Sequence, residues 1–413
     1  MKNKPYLHKD FIDQRALEIV ETLQKKSFTT YLVGGCVRDL LLGIQPKDFD
    51  IGTIAHPSQV KRSVPNSYII GKRFRLVLAK RSEDLFEIAT FRRDTTKTSE
   101  GEDEPLDENA YGTAEQDAQR RDFTINGMFY DPFEEKLIDY NNGLEDLKQG
   151  CVRMIGDPET RLLEDPVRIL RALRLAHKIQ FSIDPHLRQA IMNTAGSLAD
   201  SALPRRREEY LKFLRLPDPS KPFIEAHDLG VLKPIAPLLD KVFANPEQAR
   251  AFVYRLRNYD HFQHDRSDNS MLFSGLVHAY YRAVIQPDMS KTTQSKDLKE
   301  NEQLKSLMRD ELGMFNYEQD RCIKAILMQK TLRNWEEYER KGDRRKKAVF
   351  QNESFPLGLM FCEMDQNLSG EAWRFWLDGY EHYLPELIQK DMEQKSQRHQ
   401  GRRKKRNTRR RKR

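Results

Sequence analysis

Three carboxylates and a pair of glycines are the residues of this chain best suited to chemistry. Asp48 and Asp50 flank Phe49 in the stretch PKDFDIGT. In an extended strand, residues two apart point to one face, so the two carboxylates stand side by side with Phe49 opposite. Like charges held together repel unless a cation lies between them. Hard oxygen ligands that leave room for water suit Mg²⁺. A pair of such ions about 4 Å apart stabilises both the attacking and the leaving oxygen of an in-line phosphoryl displacement. Glu87, in LFEIATFR, is the candidate third carboxylate, because its apolar neighbours predict a buried strand where a charge needs a reason. Taken alone, a D-x-D pair is usually a solvated strand edge or turn, and Glu87 is as readily an exposed-face residue.

The glycines are Gly34 and Gly35, at the end of the apolar run TTYLV and ahead of VRDLLLG. Without Cβ atoms, a backbone corner there can bring its N–H groups close to a phosphate, and a helix starting at the corner adds partial positive charge. Arg38 can pair with phosphate oxygens in a bidentate way. Asp39 reads as a local cap or an arginine partner. A lone Gly-Gly is more often a plain turn. Here one short helical turn and a loop return the chain to the corner at Asp48 and Asp50, so phosphates and metal would meet.

The elements that must hold these groups form an α+β arrangement. Residues 11–26 have helical apolar spacing, TTYLVGG and FDIGTI read as strands, VRDLLLG as a short helix closed by Gly43, and SQVKRSV as a helix. RFRLVLAK and LFEIATFR, separated by RSED, predict a hairpin. Residues 94–109 are polar and acidic and read as a loop or flap. AYGTAEQDAQRRDFTINGMFYD then predicts a helix running into a strand, with another short strand in EKLIDY. Helical periodicity dominates from Asp157. The expected divisions are a head over 1–155, a helical neck and body over 156–285, a polar linker over 286–303, a C-terminal helical domain over 304–393 and a basic tail over 394–413.

The formal charge is +8, unevenly placed. Residues 398–413 (RHQGRRKKRNTRRRKR) hold eleven Lys and Arg and no acid, and removing them takes the remainder from +8 to −3. A block this dense repels itself into disorder and attracts a polyanion such as RNA; the plainer reading is a solubility or trafficking tail. No run of 18 apolar residues exists, so no membrane span is expected. The start lacks a signal-peptide pattern, which predicts a cytoplasmic protein. The four cysteines are far apart, with no metal-ligand spacing, and predict reduced, buried thiols.

GGCVRDLLLG, KDFDIGT, FEIATFRRD, YGTAEQDAQRRDFTINGMFYD and GDPETRLLEDPVRILRALRLAHKIQFSI, in that order, resemble the motifs of the class II polymerase-beta-like nucleotidyltransferases, the bacterial poly(A) polymerases and tRNA CCA-adding enzymes. The resemblance covers roughly residues 25–215. It implies a palm-like catalytic head followed by helical neck and body domains, with Asp48 and Asp50 as the metal-binding pair, Glu87 as a further carboxylate, and ATP as substrate. In RRDFTIN it implies that Arg120, Arg121, Asp122 and Asn126 contact sugar and phosphates. In LLEDPVRILRALR it implies base reading by Glu164, Asp165 and Arg168, with Arg171 and Arg174 extending a basic face. Asp165 and Arg168, three apart on a helix, would share that face and match the amine and ring nitrogen of adenine or of cytosine. Without the family, these arginines read as a helix-end salt-bridge cluster and a solvated helix face. Cys36 occupies a variable slot, and the run Arg205, Arg206, Arg207 departs from the family, where one arginine with apolar neighbours is common.

The catalytic set does not separate poly(A) from CCA addition. YIIGKRFRLVLAK, with Lys72, Arg73, Phe74 and Arg75, and the Arg-rich tail resemble the poly(A) enzymes, which makes RNA 3′ ends the expected partner and tRNA CCA addition the alternative. Two other classes are an RNA-binding protein with a retired active site and an HD-type phosphohydrolase built on His227-Asp228 or on His261, His264 and Asp265. Intact Asp48, Asp50 and Arg168 argue against the first, and the want of a matching upstream ligand against the second.

Overall fold

The computed structural model describes residues 7–71, 76–93, 111–258, 267–286, 288 and 294–389. The expected flap at 94–109, residues 72–75, the His261–His264–Asp265 group and the basic tail lie outside the described residues. The chain divides into two units, Met1–Ser197 and Leu198–Arg413.

In the first unit the predicted strands assemble into one seven-stranded mixed sheet. They are β1 (Thr30–Val33), β2 (Asp50–Thr53), β3 (Ser67–Ile70), β4 (Leu76–Arg81), β5 (Asp84–Thr90), β6 (Phe129–Asp131) and β7 (Lys136–Ile138), in the order β3-β4-β5-β2-β1-β6-β7. The expected hairpin is β4–β5; β3, an edge strand absent from the sequence reading, extends it. Only β2 and β5 run parallel, because α3 (Pro57–Ser63) and the β3–β4 pair intervene between them. Helices α1 (Gln14–Gln24), α2 (Gly35–Leu41), α4 (Ala114–Gln119) and α5 (Gly143–Gln149) complete the sheet layer. Two of these starts are written locally: Asp13 caps α1, and Thr113 caps α4 in a reciprocal pair with Gln116.

One sheet face packs tightly beside the site. Val33, Phe91, Ala114, Ala118 and Phe129 form a buried cluster. Gly52 lies within it, and a Cβ there would fall 2.7 Å from the Phe91 ring and 2.9 Å from Val33. Beyond the sheet come α6 (Pro158–Glu164), α7 (Val167–Ile179) and α8 (Pro185–Thr194), with a two-stranded parallel pair of β8 (Cys151–Val152) and β9 (Ser182–Ile183). Asp157-Pro158 and Asp184-Pro185 are cap-and-first-turn pairs that start α6 and α8. Helix α7 buries Val167, Leu170, Leu173 and Ala176 and keeps Arg168, Arg171, Arg174 and Lys178 off that apolar stripe.

The second unit is helical throughout its described residues. It contains α9 (Leu203–Leu214), α10 (Ser220–Asp228), α11 (Pro237–Ala244), α12 (Pro246–Asn258), α13 (Asn269–Tyr280), α14 (Ser295–Glu300), α15 (Glu302–Ser306), α16 (Asn316–Arg333), α17 (Trp335–Arg340), α18 (Asp343–Phe350) and α19 (Phe355–Met364), and a helical run over 370–389. The stretch expected as a linker carries α14, which buries Leu298. The cysteines are free and buried, as their spacing predicts. No helix among the described residues is long and apolar enough to cross a membrane.

Candidate active site

Strand register alone brings three chain segments to one place. In the antiparallel β1–β2 pair Val33 faces Asp50, so Gly34 follows immediately beside that carboxylate. In the parallel β2–β5 pair Asp50 faces Glu87. A Cβ built on Gly34 would lie 4.0 Å from Asp50 Oδ2 and 2.9 Å from Arg121 Nη1. Phe49 is buried while Asp48 and Asp50 are exposed, the alternation the sequence predicts. Asp48 itself precedes β2, outside any regular element.

Glu87 departs from the expectation of a buried element. Leu85 and Glu87 are exposed and Phe86 and Ile88 buried, so Glu87 stands on the open face, in register with Asp50. Among the described residues no three or more His, Cys, Asp or Glu side chains converge closely enough to hold a metal by themselves. Glu87 is therefore an electrostatic neighbour of Asp50 in this structure. The Asp50 carboxyl is pushed above its ordinary range, first by crowding of protein around it, then by the Glu87 charge, with Arg121 opposing and Asp48 adding a little. No side-chain hydrogen bond or ion pair neutralises Asp48, Asp50 or Glu87 among the described residues. This uncompensated charge fits a hard divalent cation, and two carboxylates with the rest of the shell left to water and phosphate are the protein share that Mg²⁺ commonly uses.

The glycine corner is real but differs in detail from its sequence reading. Gly34 has φ 77° and ψ −129°, open to glycine and not to an L side chain. Its own N–H is spent on Met128 O at 3.1 Å. The amides free of intrahelical acceptors therefore begin at Gly35, where α2 starts. Arg38, expected as a phosphate ligand, is buried. Its Nε and Nη2 donate to Asp39 Oδ1 at 2.8 and 2.5 Å and its Nη1 to Asn126 Oδ1 at 2.6 Å. Arg38 thus anchors Asn126 beneath the corner. Asp39 is its partner, as predicted, and also faces Lys178 of α7 at 3.6 Å.

Arg121 is the cation aimed at the corner. It donates through Nε and Nη2 to Asp117 and through Nη1 to Asn126 O, and lies over the Phe129 ring at 5.2 Å. Asp117 escaped the sequence reading. Buried, it also accepts from Arg120 Nε and Nη2 at 2.9 and 2.6 Å. The signal was present: one carboxylate three and four residues before an Arg-Arg pair, on one helix face. Arg120, Arg121, Asp122, Asn126 and Arg171 line an open, polar cavity of about 350 Å³.

The expected base-reading pair is corrected most. Asp165 and Arg168 do not share a helix. Pro166 breaks the run, α6 ends at Glu164 and Asp165 is extended at φ −145° and ψ 91°. Its Oδ1 accepts from Val167 N at 3.3 Å at the start of α7. Arg168 turns the other way, donating to Asp122 Oδ1 at 2.8 Å, Arg161 O at 2.6 Å and Glu164 Oε2 at 3.0 Å. Arg171 Nη1 holds the other Asp122 oxygen at 2.8 Å. Burial would raise the Asp122 carboxyl, but Arg171 and then Arg168 outweigh it and hold it below its ordinary range.

A depressed carboxyl stabilises the fold above its unfolded value, about 3.9, and that contribution is lost as pH falls through the folded value. Arg168→Ala is therefore expected to cost about 1–3 kcal/mol at neutral pH, with a shallower loss of stability below about pH 4 than in the wild type. Arg168→Lys keeps the charge without the fork and should fall between. Thermal denaturation across pH checks both.

His227, considered for an HD-type centre, bonds Asp240 Oδ1 through Nδ1 at 2.7 Å rather than its neighbour Asp228.

A family model described as "Poly A polymerase head domain" matches residues 30–153, and one described as "Probable RNA and SrmB- binding site of polymerase A" matches residues 180–243. The chain is 39% identical over 260 residues to "Poly(A) polymerase I" of Salmonella typhi, 60% of this chain and 56% of that protein. It is 36% identical over 230 residues to a "CCA-adding enzyme" of a Geobacillus species, 55% of this chain and 56% of that protein. The chain thus spans a little over half the length of these curated relatives. A solved Bacillus stearothermophilus CCA-adding enzyme in complex with CTP shares the fold, with a TM-score of 0.65 over 90% of this chain and 82% of that one at 23% identity. A carboxylate-bearing mixed sheet with a glycine corner, followed by helices, is thereby the fold of a nucleotidyltransferase. Over these segments the chain is similar to poly(A) polymerases and to CCA-adding enzymes alike.

Proposed function

We propose that this protein is a template-independent polymerase that transfers AMP from ATP to the 3′ ends of RNA, a polynucleotide adenylyltransferase acting on cytoplasmic RNA, mRNA included. The observation that carries the reading is the placement of the Asp50 carboxylate, raised in pKa and unneutralised, against the Gly34 corner and Arg121. Asp48 and Asp50 would hold a divalent cation such as Mg²⁺, which when bound would supply charge neutralisation at the phosphates and lower the pKa of the attacking hydroxyl. The amides from Gly35 onward and the inward face of Arg121 receive the triphosphate. Asn126, fixed by Arg38, and the Asp122–Arg171 pair in the adjoining cavity hold the sugar and the remaining phosphate charge. Positioning and preorganised electrostatics supply the acceleration, and no protein nucleophile takes part. Base reading by Asp165 and Arg168 belongs to this proposal with a condition: Arg168 must first exchange Asp122 and Glu164 for the base.

CCA addition is the second reading, favoured by the 36% identity to a CCA-adding enzyme. Offering ATP, CTP or both with a generic RNA and with a tRNA lacking its end, then sequencing the products, separates the two. A run of A on either RNA is the expected product. Ordered C-C-A confined to the tRNA would replace the proposal with its alternative, and no incorporation with any pair would remove both.

A further inference from the structure

Phe315 and Tyr317 are among the most exposed large hydrophobic side chains of the described residues, at 57% and 65%. Their rings lie 6.0 Å apart between centroids and within 13° of parallel. Scattered exposed aromatics are ordinary; two held parallel in the open by a buried apparatus are not. Arg207 of α9, 6% exposed, places its guanidinium 4.6 Å from the centre of the Phe315 ring and 4.8 Å from that of Phe273. Its Nη2 donates to Glu318 Oε1 at 2.9 Å, and the other Glu318 oxygen accepts from the Phe315 backbone N–H at 2.7 Å. Glu318 is fully buried.

A buried ion pair of this kind gains little net stability over apolar packing. What it does here is fix the backbone and ring of Phe315, so that the aromatic surface is already ordered before anything binds. The cation on the inner face also draws ring electron density inward, which suits the outer face to an electron-rich planar ligand.

We infer that Phe315 and Tyr317, in the second unit, form a base-stacking platform for single-stranded RNA. The inference rests on the RNA-end reading above. Arg207, which backs the platform, lies within residues 180–243, matched by the family model described as a probable RNA-binding site. Phe315 and Tyr317 lie beyond that match. The chemistry is sequence-tolerant stacking, strongest for purines, with little dependence on phosphate charge. This also gives the run Arg205-Arg206-Arg207 one explained member: Arg207 braces an aromatic and is not a phosphate contact.

The test is equilibrium binding of fluorescently labelled oligoriboadenylate and oligouridylate to the full chain, without ATP, across a salt series. The variants are Tyr317→Leu, Phe315→Leu and the double substitution; leucine keeps apolar bulk and removes the π face. Tyr317, the more exposed, should be replaceable without loss of the folded state, which circular dichroism verifies. Oligoadenylate affinity is expected to fall on the order of five- to a hundredfold per ring, oligouridylate affinity less, with the salt slope unchanged. Wild-type affinity in the folded Tyr317→Leu and double variants would overturn the inference, as would an equal loss for both RNAs with a reduced salt slope. A copurifying protein that binds the wild type and not the double variant, with RNA affinity intact, would overturn it in favour of a protein-docking surface. Because no turnover is measured, a wild type that binds RNA but adds no nucleotide sinks the transferase reading and leaves this one to be judged on its own data.

Discussion

Asp50→Asn is expected to lower nucleotide transfer by on the order of 10²- to 10⁴-fold, the rate equivalent of several kcal/mol of lost charge stabilisation, and at the same time to raise the thermal midpoint. The two effects share one cause. Asp50 is pressed upward in pKa by crowding and by Glu87, with no hydrogen-bonded cation to compensate. A carboxyl whose folded pKa exceeds its unfolded one makes the fold bind protons more tightly. Stability then rises as pH falls through the folded value and is lowered at neutral pH. Asparagine removes that penalty and keeps the shape. The gain should shrink when Mg²⁺ and ATP are added, because the metal–nucleotide complex then stabilises the wild type by mass action more than the variant, which binds nucleotide without the metal. A variant as active as the wild type would remove Asp50 from the chemistry. A variant less stable at neutral pH would show its charge to be compensated.

Gly34→Ala should be nearly as damaging by a different route. At φ 77° and ψ −129° a side chain is strained by about 1–3 kcal/mol, and its Cβ would sit 2.9 Å from Arg121 Nη1. Arg121 must then leave Asn126 O or drag Asp117 with it. A displacement of an ångström in a positioning group can cost about a hundredfold in rate. Gly35→Ala is the informative contrast, for its Cβ meets Arg38 Nη2 at an ordinary 3.7 Å and Gly35 is already helical. We expect kcat/KM for ATP to fall about a hundredfold in Gly34→Ala, with a lowered thermal midpoint, and the Gly35→Ala fold to be as stable as the wild type. Equal thermal midpoints for Gly34→Ala and the wild type would mean that the corner is not strained as described.

Much of this site was legible before the fold was known, and the reasons differ by residue. Asp48, Phe49 and Asp50 could be read because strand alternation is strictly local. The glycine corner could be read because few other needs put two glycines between an apolar strand and a helix. The break at Asp165-Pro166 was equally local, since the residue before proline avoids the helical region, yet the helical spacing of LLEDPVRILRALR overrode it. For Glu87 the sequence left the buried and the open face as equal readings, because neighbouring apolar residues report that a strand is half buried, not which face is open. The burial of Arg38 could not be read at all, as it depends on Asn126, 88 positions further along the chain. Asp117 was overlooked because its role is to orient two arginines that had already been noticed.

The central claim is that Asp48 and Asp50 jointly hold a divalent cation against a nucleoside triphosphate seated at the Gly34 corner. Electron paramagnetic resonance of Mn²⁺ titrated into the wild type, Asp48→Asn and Asp50→Asn, each with a non-hydrolysable ATP analogue, reads that claim without turnover. Protein-bound Mn²⁺·nucleotide is expected in the wild type and its loss in both variants, while nucleotide without metal binds all three. Undiminished Mn²⁺ binding in folded Asp50→Asn would contradict the claim.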